Sequence, residues 1–102
     1  MKQSEYKLIR KKLFEMAETI MNDKQPEYTN NNADILNNFK TTAEALKITP
    51  IEVWAVFFHK HTQSIMTHAQ KSKTKMSEPI ESRYADLINY LTLGLAIIQD
   101  GK

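Results

Sequence analysis

The chain has 102 residues, of which 41% are hydrophobic and 25% charged, with a formal net charge of +2 and no cysteine. This composition is that of a globular protein and excludes a disordered chain, a disulfide framework and thiolate chemistry. The net charge is too small to indicate nucleic-acid binding by itself, and the length predicts one domain over residues 1–102.

Neither the N-terminus nor any apolar run indicates export or membrane insertion. The opening MKQSEYKLIRKK carries charges where a signal peptide needs an apolar stretch. The longest apolar run, LINYLTLGLAII, is well short of the ~20 residues that span a bilayer, so we expect it to be a buried helix. We therefore expect a cytoplasmic protein with no membrane partner. A chain this short leaves much of its surface in water, which favours a homo-oligomer.

Helices are the predicted secondary structure throughout. Only two glycines and three prolines interrupt the chain, and no segment shows the alternation of a strand. The first predicted helix runs from about Ser4 to Asp23, because apolar residues recur there at steps of three and four. These residues are Tyr6, Ile9, Leu13, Met16, Ala17, Ile20 and Met21. The polar stretch NDKQPEYTNNNAD, which contains Pro26, predicts a loop.

A second, shorter helix is predicted from about Asp34 to Lys47. Its apolar stripe consists of Leu36, Phe39, Ala43 and Leu46. The third helix has the clearest start in the chain, because Thr49 can cap it, Pro50 suits its first position and Glu52 completes a capping box.

The third helix is predicted to end near Ala69, where the basic stretch QKSKTKMS reads as a solvated connection. Ser77 is the predicted cap of a fourth helix, with Pro79 in its first turn and Gly101 just beyond its end. Four helices joined by loops predict an all-α, four-helix bundle-like fold.

The fourth helix combines an apolar stripe with a polar face. The stripe consists of Ile80, Tyr84, Leu87, Leu91, Leu95 and Ile98. Arg83, Asp86, Asn89 and Tyr90 share another face, and burying such groups is costly unless they are paired. They form either an internal network, with Arg83 on Asp86 and Asn89 on a neighbouring helix or subunit, or the wall of a ligand pocket.

The third helix offers a second group of candidate residues. Trp54, Phe57 and His61 follow one stripe, whereas Lys60 and Ser64 lie together on the next. The histidines lack the spacing of a zinc-binding helix, so a metal site there is disfavoured. A lysine next to a histidine and a hydroxyl group suits phosphate binding. An ordinary solvent-exposed lysine with no ligand is equally consistent with these residues.

Two long segments, NNFKTTAEALKITPIEVWAVFFHKHTQSI and EPIESRYADLINYLTLGLAII, resemble small phage- and prophage-type helical proteins of unassigned function. The resemblance covers residues 34–99, and TPIEVW, KHTQSI and EPIESRYADLINYL are its motifs. Such proteins are distantly similar to the all-α nucleotide pyrophosphohydrolases of the MazG type, which are helical, oligomeric and Mg²⁺-dependent. The resemblance implies an all-α fold and a nucleotide ligand.

The metal site that this resemblance implies is matched in part. MazG-type proteins carry metal-binding carboxylates on an E-x-x-E helix and an E-x-x-D helix, and Asp86 matches the final aspartate. Arg83 stands where the preceding glutamate belongs, and Lys60 and His61 stand where the earlier helix would supply carboxylates. Because cations repel Mg²⁺ and attract phosphate, this departure favours phosphate binding over hydrolysis.

The leading hypothesis is a phage-type protein that binds a nucleotide or cyclic-nucleotide-like molecule between its third and fourth helices. One specific form is sequestration of a nucleotide-derived defence signal, without hydrolysis, catalytic residues or a cofactor. The predicted ligand-binding residues are Asn38, Trp54, Phe57, Lys60, His61, Ser64, Arg83, Asp86, Asn89 and Tyr90.

Two alternatives stay open. One is Mg²⁺-dependent nucleoside triphosphate pyrophosphohydrolysis, with metal ligands from Asp86, Glu81 and Glu78 joined by Glu15 and Glu18. Helical periodicity favours a solvated face for Glu15 and Glu18. The other is a protein–protein interaction module whose polar face pairs with another helix. Nucleic-acid binding through KSKTK ranks below both, since so short a basic run is usually a solvated loop.

Overall fold

The computed structural model describes residues 1–29, 32–71 and 79–101. Within these ranges the chain forms four α-helices and no strand: α1 (Gln3–Thr29), α2 (Asn37–Leu46), α3 (Pro50–Gln70) and α4 (Ile80–Asp100). Helix α4 packs against both α1 and α3, while the short α2 packs against α3 and α1. The predicted all-α, bundle-like fold is confirmed. No helix in the described ranges is both long and apolar enough to cross a membrane.

Helix α1 continues to Thr29, so the prediction of a loop after Asp23 is wrong for residues 24–29. It passes through Pro26, although an internal proline removes a helical hydrogen bond and normally ends or kinks a helix. The extra turn has partners from α2. The Asn38 amide donates to the Glu27 carbonyl at 2.7 Å, and the Asn37 amide donates to the Thr29 carbonyl at 3.2 Å. These bonds satisfy carbonyls that a helix end leaves open.

Helix α2 begins at Asn37, three residues later than predicted. The carboxylate of Asp34 accepts the Leu36 backbone N–H at 2.9 Å, which makes a local turn that competes with helix at this point. The same carboxylate accepts from the Lys40 ammonium at 2.6 Å. At the other end Lys47 has φ 58° and ψ 42°, the left-handed conformation that commonly stops a helix.

Helix α3 begins as predicted. The Thr49 hydroxyl accepts the backbone N–H of Glu52 at 3.3 Å, and the Glu52 carboxylate accepts the Thr49 N–H at 3.1 Å. Pro50 occupies the first turn, where its missing N–H costs nothing. The capping box inferred from sequence is therefore confirmed.

Helix α4 turns its predicted apolar stripe outward. Tyr84, Leu91, Leu95 and Ile98 are each 44% exposed or more, whereas the opposite side of the helix is buried. The expectation that this helix is buried is wrong for these four residues, whereas Ile80 and Leu87 of the same stripe are half-buried. Pro79 stands just before the helix without a side-chain cap, and the predicted cap at residue 77 lies outside the described residues.

The core lies where α2, α3 and α4 meet. It consists of Leu36, Phe39, Ala43, Val53, Tyr90, Leu93 and Ile97, with Met21 of α1 packed against it. Three of the four apolar residues predicted for α2 are in this core, but Leu46 is exposed. The core brings the middle of α3 against the inner side of α4, which is where the candidate site lies.

Candidate functional site

The polar face of α4 is its buried face. Asp86 is 5% exposed, Asn89 6% and Tyr90 7%, and Arg83 is half-buried. These side chains lie where α4 meets α1 and α3, and buried polar groups persist only when they have partners. The partners therefore decide which of these residues serve packing and which can serve a ligand.

Asn89 joins two helices of the same chain. Its amide donates to the Ala17 carbonyl of α1 at 2.9 Å, and both residues are buried. This is the bond to a neighbouring helix that one interpretation of the sequence anticipated. Since the amide N–H₂ is engaged inside the bundle, Asn89 positions α1 against α4.

Asp86 has a cationic partner that the sequence had not indicated. The Lys24 ammonium lies 3.9 Å from a carboxylate oxygen of Asp86, and the Lys24 side chain is 42% exposed. A buried carboxylate needs such compensation, because desolvation disfavours its charged form. Lys24 was missed because it falls in the stretch predicted to be a loop. It could have been found only by predicting that α1 stays helical through this stretch.

His61 of α3 lies against Tyr90 of α4, where four charged side chains influence it. Its ring is tilted against Tyr90, with centroids 4.6 Å apart. Burial lowers the pKa of His61, the charge of Asp86 opposes that effect, and the cations Arg83, Lys60 and Lys24 reinforce it. The neutral form of this imidazole is therefore favoured, and the charges of three cations and one carboxylate act on it.

We name the five charged or titratable side chains Lys24, Lys60, His61, Arg83 and Asp86 the cation cluster. Besides His61, the cluster consists of three cationic side chains and one carboxylate. Such an excess of cations attracts anions, and guanidinium and ammonium groups bind phosphate oxygens by charge-assisted hydrogen bonds. Four of these five residues were predicted from sequence.

A cavity of about 270 Å³ opens beside Tyr90. It is lined by Asn38, Phe39, Thr41, Thr42, Phe57 and Tyr90. Phe57 is 44% exposed and meets Phe39 edge to face, with centroids 6.4 Å apart. Because Tyr90 both lines this cavity and contacts His61, aromatic and charged surfaces are contiguous at this point. The cavity brings together three predicted residues from three different helices.

Trp54 and Ser64 stand apart from this cavity. The Trp54 indole N–H donates to the Tyr90 carbonyl at 2.6 Å, and its ring stacks on Phe58 with centroids 4.7 Å apart. Trp54 thus holds α3 against α4. Ser64 is half-buried on α3, one turn beyond Lys60.

The carboxylates of the enzymatic alternative are not gathered in the described part of the chain. Glu15, Glu18 and Glu81 are exposed, whereas Asp86 is buried next to Lys24. Residues 1–29, 32–71 and 79–101 contain no group of three His, Asp or Glu side chains placed to hold a metal ion. Glu78 and most of the KSKTK segment lie outside these ranges.

Comparisons with protein-family models, curated proteins and solved structures gave no match to this chain.

Proposed function

We propose that this protein binds a phosphorylated small molecule, a nucleotide or cyclic nucleotide, where the cavity between α2, α3 and α4 adjoins the cation cluster. The observation that carries the proposal is the cation cluster, in which the charges of three cations and one carboxylate act on the half-buried imidazole of His61 next to Tyr90. In a partly buried setting these charges are screened less than on an open surface, so they favour an anionic ligand. Lys60 is the exposed member and is the first to meet such a ligand.

The neighbouring cavity supplies the second half of the proposed site. Its volume, about 270 Å³, is near the lower end of the ~300–1,000 Å³ range of small-molecule pockets. Phe57 and Tyr90 offer ring faces or edges to a base, and Asn38 also lines the cavity, with its side-chain carbonyl oxygen as an acceptor. A bound nucleotide would place its phosphate on the cation cluster and its base in the cavity, because the two surfaces adjoin at Tyr90.

Binding without hydrolysis follows from the same charges. Asp86 faces Lys24 rather than a second described carboxylate, and three cations oppose a divalent metal ion at this point. A phage-type protein of this kind would sequester a nucleotide-derived defence signal, as its resemblance to phage proteins implies. We expect no cofactor to be required.

Thermal-shift screening against linear and cyclic nucleotides tests the proposal. A ligand at a hundred times its dissociation constant stabilises the folded state by ~2.7 kcal/mol, which is readily measured as a rise in Tm. Lys60→Glu should abolish the rise, because it reverses an exposed charge of the cluster. Lys7→Glu makes the same change on the exposed first half of α1 and should preserve the rise.

The proposal fails if no nucleotide raises Tm, or if Lys7→Glu weakens binding as much as Lys60→Glu. A parallel incubation with nucleoside triphosphate and Mg²⁺ tests the enzymatic alternative. Release of pyrophosphate that Asp86→Asn abolishes would replace sequestration by hydrolysis, because that substitution keeps the side-chain shape while removing the charge that could bind a metal ion.

A further inference from the structure

Helices α1 and α4 carry two apolar stripes that lie on the outside of the molecule. In α1 the positions are Tyr6, Ile9, Leu13, Met16 and Ile20, and in α4 they are Tyr84, Ile88, Leu91, Leu95 and Ile98. Both sets advance by alternate steps of three and four, which is the heptad pattern of helices that pack side by side. We call these ten residues the α1–α4 stripe.

Most of the stripe is open to solvent in the single chain. Tyr6 is 57% exposed, Ile9 49%, Leu91 and Leu95 56% each, and Ile98 49%. Large apolar side chains that are scattered over a surface are ordinary, but contiguous patches of them mark interaction sites.

The two halves of the stripe meet in one groove. A cavity of about 540 Å³ is lined by Ile9, Leu13 and Met16 of α1 and by Tyr84 of α4, together with the charged residues Lys12 and Glu81. The α1 and α4 halves therefore form one continuous surface, which is open to solvent.

The chain exposes more area than a compact monomer of its mass. It exposes 7704 Å². A monomeric protein of 11.9 kDa is expected to expose about 5,900 Å², so the excess is roughly 1,800 Å². A stable interface of standard size buries ~800 Å² on each partner, and the excess is more than enough for one.

The shape of the chain agrees with this excess. Its radius of gyration is 15.4 Å, against about 13 Å for a compact domain of this length. Residues 3–12 of α1 are all exposed, so the first turns of that helix bury little within the chain. A long helix with an exposed heptad stripe gains its tertiary contacts from another helix, since isolated helices are marginal in water.

The charges beside the stripe select the partner. Residues 1–12 contain five basic side chains and one acidic. On α4, Glu81 is exposed beside the stripe, whereas Asp86 is buried against Lys24 and Asp100 is paired with Lys40 at 3.0 Å. In a two-fold arrangement in which each α1 meets the partner's α4, Glu81 of each copy faces basic side chains of the other. An anionic membrane would attract α1 but repel Glu81.

We propose that the α1–α4 stripe is the interface of a homodimer in which α1 and α4 of two copies form an intermolecular four-helix arrangement. The interface is independent of the anion site, because the stripe and the cation cluster occupy opposite sides of α4. Each copy covers the exposed leucines and isoleucines of the other.

Sedimentation analysis of the full chain tests this proposal. At about 10 µM the chain should sediment at twice its monomer mass, which requires a dissociation constant near or below ~1 µM. Leu91→Glu should raise that constant at least ~100-fold, because it places a charge in an apolar interface. Circular dichroism should show the variant still helical, since Leu91 is already half-exposed within the chain.

The matched control is Val56→Glu on α3, which changes an apolar residue that is 65% exposed but lies outside the stripe. This variant should remain dimeric. The proposal is overturned if the wild-type chain is monomeric at about 10 µM, if Leu91→Glu leaves the assembly intact, or if Val56→Glu dissociates it equally. A monomeric chain that sediments with anionic vesicles would assign the stripe to a membrane surface instead.

Discussion

The close approach of Gly94 on α4 to Trp54 on α3 predicts the effect of a single methyl group. A Cβ atom added at Gly94 would lie 2.6 Å from Cε2 of Trp54, 2.7 Å from Cζ2 and 3.0 Å from Nε1. These distances are shorter than carbon atoms tolerate. The indole cannot easily retreat, because its N–H donates to the Tyr90 carbonyl at 2.6 Å and its ring stacks on Phe58. Gly94→Ala must therefore separate the helices or rotate the indole.

The expected magnitude follows from three opposing effects. Overpacking of a core contact costs about 1–3 kcal/mol, and loss of the indole hydrogen bond adds about 1 kcal/mol. Replacing a mid-helix glycine by alanine gains about 1 kcal/mol of helix propensity. We therefore expect Gly94→Ala to lower the free energy of unfolding by about 1–3 kcal/mol. For a domain of this size, each kcal/mol lowers Tm by about 4–8 °C.

Denaturant unfolding of Gly94→Ala and Gly101→Ala measures this difference. Gly101 is the matched control, because its φ is −76° and an added Cβ would meet only atoms at 3.6 Å or more. In a Trp54→Phe background the cost of Gly94→Ala should shrink by about 1 kcal/mol, since the clashing ring atoms are gone. An increase in stability by Gly94→Ala would refute the reasoning, because helix propensity would then be the only effect.

Three further predictions concern other positions. Burial lowers the pKa of His61, so the unfolded chain binds the proton more readily and the free energy of unfolding should fall as pH drops through about 6.5; His61→Gln should flatten this fall in pH-dependent denaturation. Lys47→Gly should raise Tm, since it removes about 1 kcal/mol of left-handed strain at φ 58°. Asn89→Ala should cost about 1–3 kcal/mol in urea unfolding, because its buried bond to the Ala17 carbonyl is lost.

Local sequence patterns were sufficient where the relevant contacts are local. The start of α3 is encoded by three residues within one turn, Thr49, Pro50 and Glu52, and their hydrogen bonds need no other part of the chain. The shared face of Asp86 and Asn89 likewise follows from helical periodicity alone. Such features could be predicted because each depends on a spacing of three or four residues.

Features that depend on distant residues could not be predicted. The last turn of α1 persists because Asn37 and Asn38, about ten residues away, supply donors to its carbonyls. Lys24 comes close to Asp86 only because α1 stays helical past residue 23, where the sequence pattern predicted its end. No local pattern around Pro26 carries this information, since its ordinary effect is to end a helix.

The sequence by itself determined the all-α class, the start of α3 and the two candidate faces of α4. Only the tertiary structure decided which face is buried. Both faces carry enough apolar residues to pack, so periodicity cannot choose between them. Inside the bundle Asn89 finds the Ala17 carbonyl and Asp86 finds Lys24, and these partners make burial of the polar face tolerable. The more apolar stripe, which needs no hydrogen-bond partner, is thereby left on the outside.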